Sequence, residues 1–190
     1  MESQAIAFNA ELLRRYDRPG PRYTSYPTAP QFHAGFGARE LRAVASASNG
    51  DPIPRRLSLY VHVPFCASPC FYCGCNRIIT RDTARGEAYL ARLYREIALT
   101  APLFDRDREV IQLHFGGGTP NFLSPAQLRE VVDTLRSHFH FSDADERDLS
   151  IELDPRFVSP ADIAELAAAG FNRASFGVQD FDPEVQVAVN

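Results

Sequence analysis

Hydrophobic positions along the chain follow two alternating patterns. Short runs rich in β-branched and aromatic residues predict strands. These runs cover 57–63 (LSLYVHV), 109–115 (EVIQLHF), 148–154 and 171–178. Between them, apolar residues recur three and four positions apart, which predicts amphipathic helices. The first such helix ends near Pro102, and its apolar residues are Tyr89, Leu90, Leu93, Tyr94 and Ile97.

The next two helices begin with recognisable start signals. Ser124 and Pro125 supply an N-cap and a first-turn proline, and Ser159 and Pro160 repeat the arrangement. Gly170 is the expected C-cap of the later helix. The predicted apolar stripes are Leu128, Val131, Val132, Leu135 and Phe139 in one helix, and Ile163, Leu166 and Ala167 in the other. Three strand–loop–helix units and a fourth strand therefore follow one another.

This alternation predicts an α/β fold with a parallel sheet and right-handed crossovers, either a barrel or an open doubly wound sheet. In both architectures ligands bind at the carboxyl ends of the strands. Chemically distinctive residues follow the strands four times: a cysteine-rich loop, Gly116 to Gly118, the pair Glu152 and Asp154, and the pair Gln179 and Asp180. We therefore expect one composite site on that rim.

The composition is that of an ordinary globular protein. The 190 residues are 45% hydrophobic and carry a net charge of -4, which excludes collagen-like and strongly charged disordered classes. The mild acidity offers no broad attraction for nucleic acid. The longest apolar run, 57–65, is too short to cross a bilayer, and residues 1–16 lack the apolar stretch of a secretory signal. We expect a soluble, cytoplasmic protein without nucleic-acid partner or membrane span.

All 4 cysteines lie between Cys66 and Cys75, which favours a metal site over a disulfide scaffold. Cys66, Cys70 and Cys73 offer three thiolates from one loop, a set that suits an iron–sulfur cluster with one iron left open. Cys75 is a possible fourth ligand, although its one-residue gap from Cys73 makes joint chelation awkward. A zinc-binding interaction module is the alternative from another class, and buried structural cysteines are a third interpretation.

The cysteine spacing, with Tyr72 directly before the third cysteine, resembles the radical S-adenosylmethionine (radical SAM) enzymes. Within that superfamily, further segments resemble the oxygen-independent coproporphyrinogen III oxidases, also called coproporphyrinogen III dehydrogenases. These segments are GPRYTSYPT (20–28), YVHVPFC (60–66), CGCN (73–76), HFGGGTP (114–120), SIELDPR (150–156) and GFNRASFGVQDF (170–181). The resemblance extends from about Tyr16 to the last residue.

The resemblance implies a partial TIM-type (β/α)6 barrel, of which the sequence covers the N-terminal part, about three and a half βα units. Residues 1–56 are then expected to form an N-terminal arm and helix that pack on the barrel, and residues 57–190 the truncated barrel itself. The chain is accordingly expected to be an N-terminal fragment of a longer enzyme, inactive by itself.

The resemblance also implies the roles of individual residues. Cys66, Cys70 and Cys73 would ligate a 4Fe-4S cluster, whose open iron would chelate the amino-acid end of S-adenosyl-L-methionine. The expected contacts to that cofactor are Tyr60, Tyr72, Gly117, Gly118, Thr119, Glu152 and Gln179. The expected catalytic residues are Tyr60, His62 and Cys75. Since the implied substrate is a carboxylate and the chain is net acidic, we further hypothesise that Arg22 and Arg77 help to bind the propionates as guanidinium forks.

The implied reaction is the oxidative decarboxylation of coproporphyrinogen III to protoporphyrinogen IX by a 5'-deoxyadenosyl radical, in porphyrin and haem biosynthesis. The implied partners are the substrate and an electron donor such as flavodoxin or ferredoxin, with a monomeric full-length enzyme. Related radical SAM haem chaperones and anaerobic haem-degrading enzymes are the alternatives. The chaperones share the cysteine triplet but fit the GPRYTSYPT and CGCN segments poorly.

Overall fold

The computed structural model describes residues 9–17 and 28–190. The chain divides into two compact units, Met1–Leu41 and Arg42–Asn190. The predicted division at residue 56 stays a prediction. The helices are α1 (Ala10–Tyr16), α2 (Ala38–Asn49), α3 (Ala84–Thr100), α4 (Pro125–His138), α5 (Pro160–Ala169) and α6 (Pro183–Val189). The strands are β1 (Leu57–Val63), β2 (Phe65–Cys66), β3 (Ile78–Ile79), β4 (Glu109–Gly117), β5 (His140–Phe141), β6 (Asp148–Leu153) and β7 (Arg173–Phe176).

The second unit contains a parallel sheet in the strand order β1-β4-β6-β7, with the short β5 paired to the start of β4. Successive long strands are neighbours, so the sheet grows in one direction along the chain. A doubly wound sheet would reverse its order at a switch point. The predicted parallel α/β fold is confirmed, and the strand order is that of a barrel segment. Strands β2 and β3 form a separate parallel pair.

The helix starts follow the predicted local signals. In α4 the Gln127 N–H donates to the Ser124 hydroxyl, and the Gln127 side chain accepts from the Ser124 N–H, which makes a capping box. Ser159 and Asp162 repeat this box at α5. Gly170 ends α5 with a φ of 104°, in the left-handed region that favours glycine. These signals are local, so they can be recognised without the tertiary structure.

The core lies between one face of the sheet and the helices α3, α4 and α5. Its fully buried side chains include Val63, Val110, Leu113, Phe115, Leu128, Val131, Val132, Leu149 and Ile151. The face predicted for α5 was partly wrong: Leu166 is buried, but Ile163 and Ala167 are exposed and Ala169 is buried instead. The reason is that the buried residues of α5, Leu166 and Ala169, lie three positions apart, so the helix packs on the core along a narrow line rather than a broad stripe.

The two faces of the sheet differ in polarity. On β1, Leu57, Val61 and Val63 are buried in the core, whereas Tyr60 and His62 point to the opposite face. Because side chains alternate along a strand, the same period places polar residues of neighbouring strands on that opposite face. The helices α3, α4 and α5 cover the apolar face, and the polar face leads to the candidate site. Within residues 9–17 and 28–190, every helix is too short or too polar to cross a bilayer.

Arg108, just before β4, is a buried cation that joins three segments. Its guanidinium donates twice to the Arg55 carbonyl, at 2.7 and 3.0 Å. It also donates to the Ser48 hydroxyl and the Asn49 side-chain oxygen, both at 2.9 Å, at the end of α2. All of these acceptors are uncharged. The guanidinium therefore ties the end of α2 and the segment before β1 to the sheet.

Replacement of Arg108 by methionine should lower the free energy of unfolding by about 1–3 kcal/mol, because three partly buried or exposed acceptors lose the donor that joins their segments. Urea denaturation followed by circular dichroism measures the change. Arg106→Met is the matched control, since Arg106 makes one long hydrogen bond, 3.4 Å to the Ser137 carbonyl, and is exposed. Equal denaturation midpoints for the two variants would contradict this role of Arg108.

Candidate active site

The cysteine loop begins and ends on the β2–β3 pair. Phe65 pairs with Ile78 and Cys66 with Ile79, and the Thr80 N–H donates to the Cys66 carbonyl at 2.9 Å. Cys66 is buried, Cys70 and Cys73 are half-buried and Cys75 is exposed, all as free thiols. A loop without regular structure of its own is therefore fixed at both ends, and its thiols differ in their solvent exposure.

Hydrogen bonding and burial make these thiols electrostatically unequal. The Cys75 N–H donates to the Cys73 sulfur at 3.4 Å, and this hydrogen bond lowers the pKa of Cys73. The hydrogen bond between the Cys75 and Cys73 side chains, together with burial, raises the pKa of Cys75. Burial raises the pKa of Cys66 and outweighs the hydrogen bond that the Thr119 hydroxyl donates to its sulfur at 3.4 Å. Cys73 is therefore a readier thiolate than Cys66.

The glycine-rich turn at the end of β4 packs directly against the start of the cysteine loop. The Gly118 N–H donates to the Val63 carbonyl, and the Thr119 N–H to the Phe65 carbonyl, both at 2.8 Å. A Cβ on Gly118 would lie 2.8 Å from the Phe65 oxygen and 2.9 Å from the Cys66 sulfur. Only glycine permits this approach.

Gly117 has a φ of 113° and lies against the His62 ring, which a Cβ at this position would meet at 2.6 Å. The strand β4 was predicted to end at Phe115, but it continues to Gly117. The physical reason is that Gly116 and Gly117 keep pairing with His62 and Val63 of β1, a cross-strand contact that the local sequence does not reveal.

On the polar face of β1, Tyr60 and His62 connect the sheet to the cysteine loop. The His62 Nε2 lies 2.9 Å from the Asn76 carbonyl, which can only accept, so Nε2 carries the proton and donates. The Nδ1 then accepts from the Tyr60 hydroxyl at 3.1 Å. Burial raises the pKa of Tyr60, with the neighbouring Glu152 charge acting in the same direction. The Tyr60 hydroxyl therefore stays protonated and available as a donor.

A cavity of about 570 Å³ opens at the carboxyl ends of the strands. The predicted site residues that line it are Cys66, Cys70, Tyr72, Cys73, Cys75, Arg77, Gly117, Gly118, Thr119, Glu152 and Gln179. Tyr60 and His62 lie outside its lining, on β1, and Arg22 lies outside the described residues. The expectation that one rim collects the strand-end residues therefore agrees with the geometry.

Sequence reasoning singled out Asp154 but gave no role to Arg156, which also lines the cavity. Arg156 forms a bidentate ion pair with Asp154, at 3.0 and 2.7 Å, and reaches the Ser68 hydroxyl of the cysteine loop at 3.4 Å. Burial opposes ionisation of Asp154, but the Arg156 hydrogen bonds and charge outweigh it and hold the pKa of Asp154 below its usual range. The strand-end motif DPR was the available signal for this pair.

His114 is the second residue without a predicted role, and it lies on the polar face between Tyr60 and Glu152. The signal in the sequence was a polar residue at an alternate position of an otherwise apolar strand. Sequence alone does not give the register of β1, β4 and β6, which determines its neighbours.

The donor set and the space suit the two groups that the family resemblance implies. Three thiols on one loop match the usual ligands of an iron–sulfur cluster, and the side-chain-free turn beside them leaves room for a ligand backbone. In the part of the chain that the structure describes, no three His, Cys, Asp or Glu side chains converge on a single ion position. A cubic cluster binds each thiolate to a different iron, so it requires no such convergence.

In the metal-free protein, iodoacetamide should alkylate Cys73 faster than Cys66 at mildly alkaline pH. The lowered pKa of Cys73 gives it the larger thiolate fraction, and Cys66 is both buried and shifted to a higher pKa. Peptide mass spectrometry over a time course measures both rates. The two rates should converge in urea, where the local environments are lost. Faster labelling of Cys66 in the folded protein would contradict the electrostatic assignment.

Comparison with known proteins places this geometry in a family. Residues 60–190 match the model of the radical SAM superfamily. The chain is 54% identical over 187 residues to an oxygen-independent coproporphyrinogen III oxidase of Pseudomonas aeruginosa, covering 97% of this chain and 40% of that protein. Its counterpart from Escherichia coli is 47% identical over 191 residues, covering 100% and 40%.

A solved structure supports membership of the same superfamily. It is the radical SAM enzyme coproporphyrinogen III oxidase (HemN) from Escherichia coli, which superposes with a TM-score of 0.83 at 44% sequence identity, over 98% of this chain and 40% of that one. The chain thus spans 40% of the length of these relatives. With the family model matched across most of the chain, and the fold shared with this enzyme, the chain belongs to the radical SAM superfamily.

Proposed function

We propose that the chain forms the cofactor-binding part of an oxygen-independent coproporphyrinogen III oxidase. The observation that carries the proposal is the shared cavity at the strand ends. The cysteine loop, the glycine-rich turn, Glu152 and Gln179 all line it, although they are far apart in sequence. The 54% identity to the Pseudomonas aeruginosa relative supports the choice of this enzyme within the superfamily.

In this proposal Cys66, Cys70 and Cys73 hold a 4Fe-4S cluster, and the remaining cavity receives S-adenosyl-L-methionine. When bound, these groups would supply the 5'-deoxyadenosyl radical that takes a hydrogen atom from the β-carbon of a propionate side chain, and loss of carbon dioxide and of one electron to an acceptor would then leave a vinyl group. The protein contributes orientation and exclusion of water. The β2–β3 pair and the glycine-rich turn perform the first task, since they fix the loop to the sheet.

Different residues around the cavity suit different chemical groups of S-adenosyl-L-methionine. Gly117, Gly118 and Thr119 present backbone groups to its amino-acid end, since no side chain intervenes at the glycines. Glu152, as a carboxylate, accepts from ammonium or hydroxyl donors, and Gln179 offers both a donor and an acceptor. Tyr72 is an exposed aromatic in the cysteine loop and offers a face for the adenine.

Of the expected catalytic residues, Cys75 lines this cavity, whereas Tyr60 and His62 lie on β1 outside its lining. His62 holds the CGCN segment through the Asn76 carbonyl and accepts from the Tyr60 hydroxyl, so the pair couples the sheet to the loop that carries Cys75. The Cys75 thiol is exposed and lines the cavity, where a hydrogen or proton donor would meet the substrate. Tyr60, His62 and Cys75 are proposed to surround the reacting propionate.

Arg77 is proposed to attract a substrate propionate. Its guanidinium donates to the Cys73 carbonyl at 2.8 Å and to the Cys75 carbonyl at 3.4 Å, so its charge is held beside the cysteine loop. It lines the cavity, and a carboxylate that enters there meets a fixed cation. The same role for Arg22, an electron donor such as flavodoxin or ferredoxin, a monomeric state and a cytoplasmic location stay predictions.

The function is tested by anaerobic reconstitution of the full-length protein with iron and sulfide, followed by dithionite and S-adenosyl-L-methionine. We expect the absorption of a 4Fe-4S cluster, release of 5'-deoxyadenosine, and a product from coproporphyrinogen III that has lost two carboxyl groups as carbon dioxide. An opened tetrapyrrole would point to a haem-degrading enzyme, and transfer of intact haem to a chaperone. Binding of zinc without iron–sulfur absorption would support the interaction module instead.

Gly118→Ala should reduce cluster content by about tenfold or more, because an added Cβ collides with the Phe65 carbonyl and the Cys66 sulfur. Iron and sulfide per chain, measured after reconstitution and desalting, give the result. Gly74→Ala is the matched control: Gly74 lies inside the same loop, but nothing stands within 4 Å of its added Cβ. The steric argument would fail if both variants retained the same iron content.

A further inference from the structure

Three polar side chains lie directly opposite one another on neighbouring strands. The strand register pairs Tyr60 of β1 with His114 of β4, and His114 with Ser150 of β6. The Tyr60 and His114 rings stack with centroids 5.8 Å apart and planes 19° from parallel. His114 is thus enclosed on both sides, and its ring orientation is determined by the sheet.

The hydrogen bonds of His114 define its tautomer. Its Nε2 lies 3.4 Å from the Oε1 of Glu152, which as a carboxylate oxygen only accepts, so Nε2 carries a proton. Its Nδ1 lies 2.7 Å from the Ser150 hydroxyl. The other acceptor for that hydroxyl, the Leu113 carbonyl, is at 3.5 Å. The shorter contact favours donation from Ser150 to Nδ1, which fits a neutral ring protonated at Nε2.

This arrangement restrains an otherwise free carboxylate. The Glu152 side chain is 48% exposed, and among the described residues its hydrogen bond comes from His114. Gly116 provides the space for the contact, since a Cβ there would lie 3.1 Å from the His114 Nε2 and 3.2 Å from the Glu152 carboxyl carbon. One carboxylate oxygen is engaged by the sheet, which leaves the other to the cavity that Glu152 lines.

We propose that His114 is a positioning residue, which holds the Glu152 carboxylate toward the cavity so that it receives the ammonium or hydroxyl donors of S-adenosyl-L-methionine. The inference rests on the proposed function for the identity of the ligand. The chain Ser150 to His114 to Glu152 runs from a side chain that is 2% exposed to one at the cavity wall. The rigid core thereby determines the direction of a flexible acidic side chain.

Two substitutions of His114 distinguish the contact of its Nε2 with Glu152 from the contact of its Nδ1 with Ser150. The amide nitrogen of His114→Gln can occupy the region of Nε2 and keep a donor to Glu152, whereas the shorter amide of His114→Asn reaches only Ser150. In the full-length, reconstituted protein, His114→Asn should raise the Kd for S-adenosyl-L-methionine by about tenfold, and His114→Gln by no more than about threefold. Iron content should be equal in both variants, since the side-chain hydrogen bonds of His114 among the described residues go to Ser150 and Glu152 rather than to a cysteine.

The tautomer provides a readout that does not depend on activity. With ¹⁵N-labelled histidine in the cluster-free full-length protein, the ring nitrogen shifts of His114 should report protonation at Nε2, and Glu152→Gln should move the Nε2 signal. Protonation at Nδ1 in the neutral ring, or wild-type affinity in His114→Asn, would overturn the proposal. If the wild-type protein failed to bind S-adenosyl-L-methionine, the proposed function would fall, and the shifts would still decide whether His114 contacts Glu152.

Discussion

The site depends on one backbone contact, the close approach of the glycine-rich turn to the start of the cysteine loop. The Gly118 and Thr119 N–H groups donate to the Val63 and Phe65 carbonyls, and the absence of a side chain at Gly118 allows the two segments to touch. The sheet is rigid because its other face is buried in the core. This contact transmits that rigidity to Cys66, and through it to a loop that has little regular structure of its own.

Much of the fold could be predicted because its signals are local. The strand at 57–63 has the predicted bounds, and both serine–proline helix starts are capping boxes. Features that depend on pairing between strands were harder to predict from the sequence. The predicted strand at 171–178 is only Arg173–Phe176, and β4 runs two residues past its predicted end, because hydrogen bonding with the neighbouring strand sets those limits.

The candidate site shows the same division. The rule that ligands bind at the carboxyl ends of parallel strands was enough to bring together Cys66, Glu152 and Gln179 from three separate segments. The role of His114 and the contact of Arg156 with Ser68 were not predictable, since each depends on a partner that only the strand register or the loop path brings near. Sequence pattern thus gives the residues of the rim, and the pairing between strands gives the interactions that orient them.

The β2–β3 pair has a consequence for how readily a metal centre assembles. Because these strands are parallel, the chain enters and leaves the cysteine loop in the same direction, so the loop must complete a full circuit between them. Closing such a circuit costs chain entropy, and the β2–β3 pairing offsets part of that cost. Pairing of the loop ends confines the thiols to a small volume, so binding of a metal centre requires less ordering than it would on an open chain.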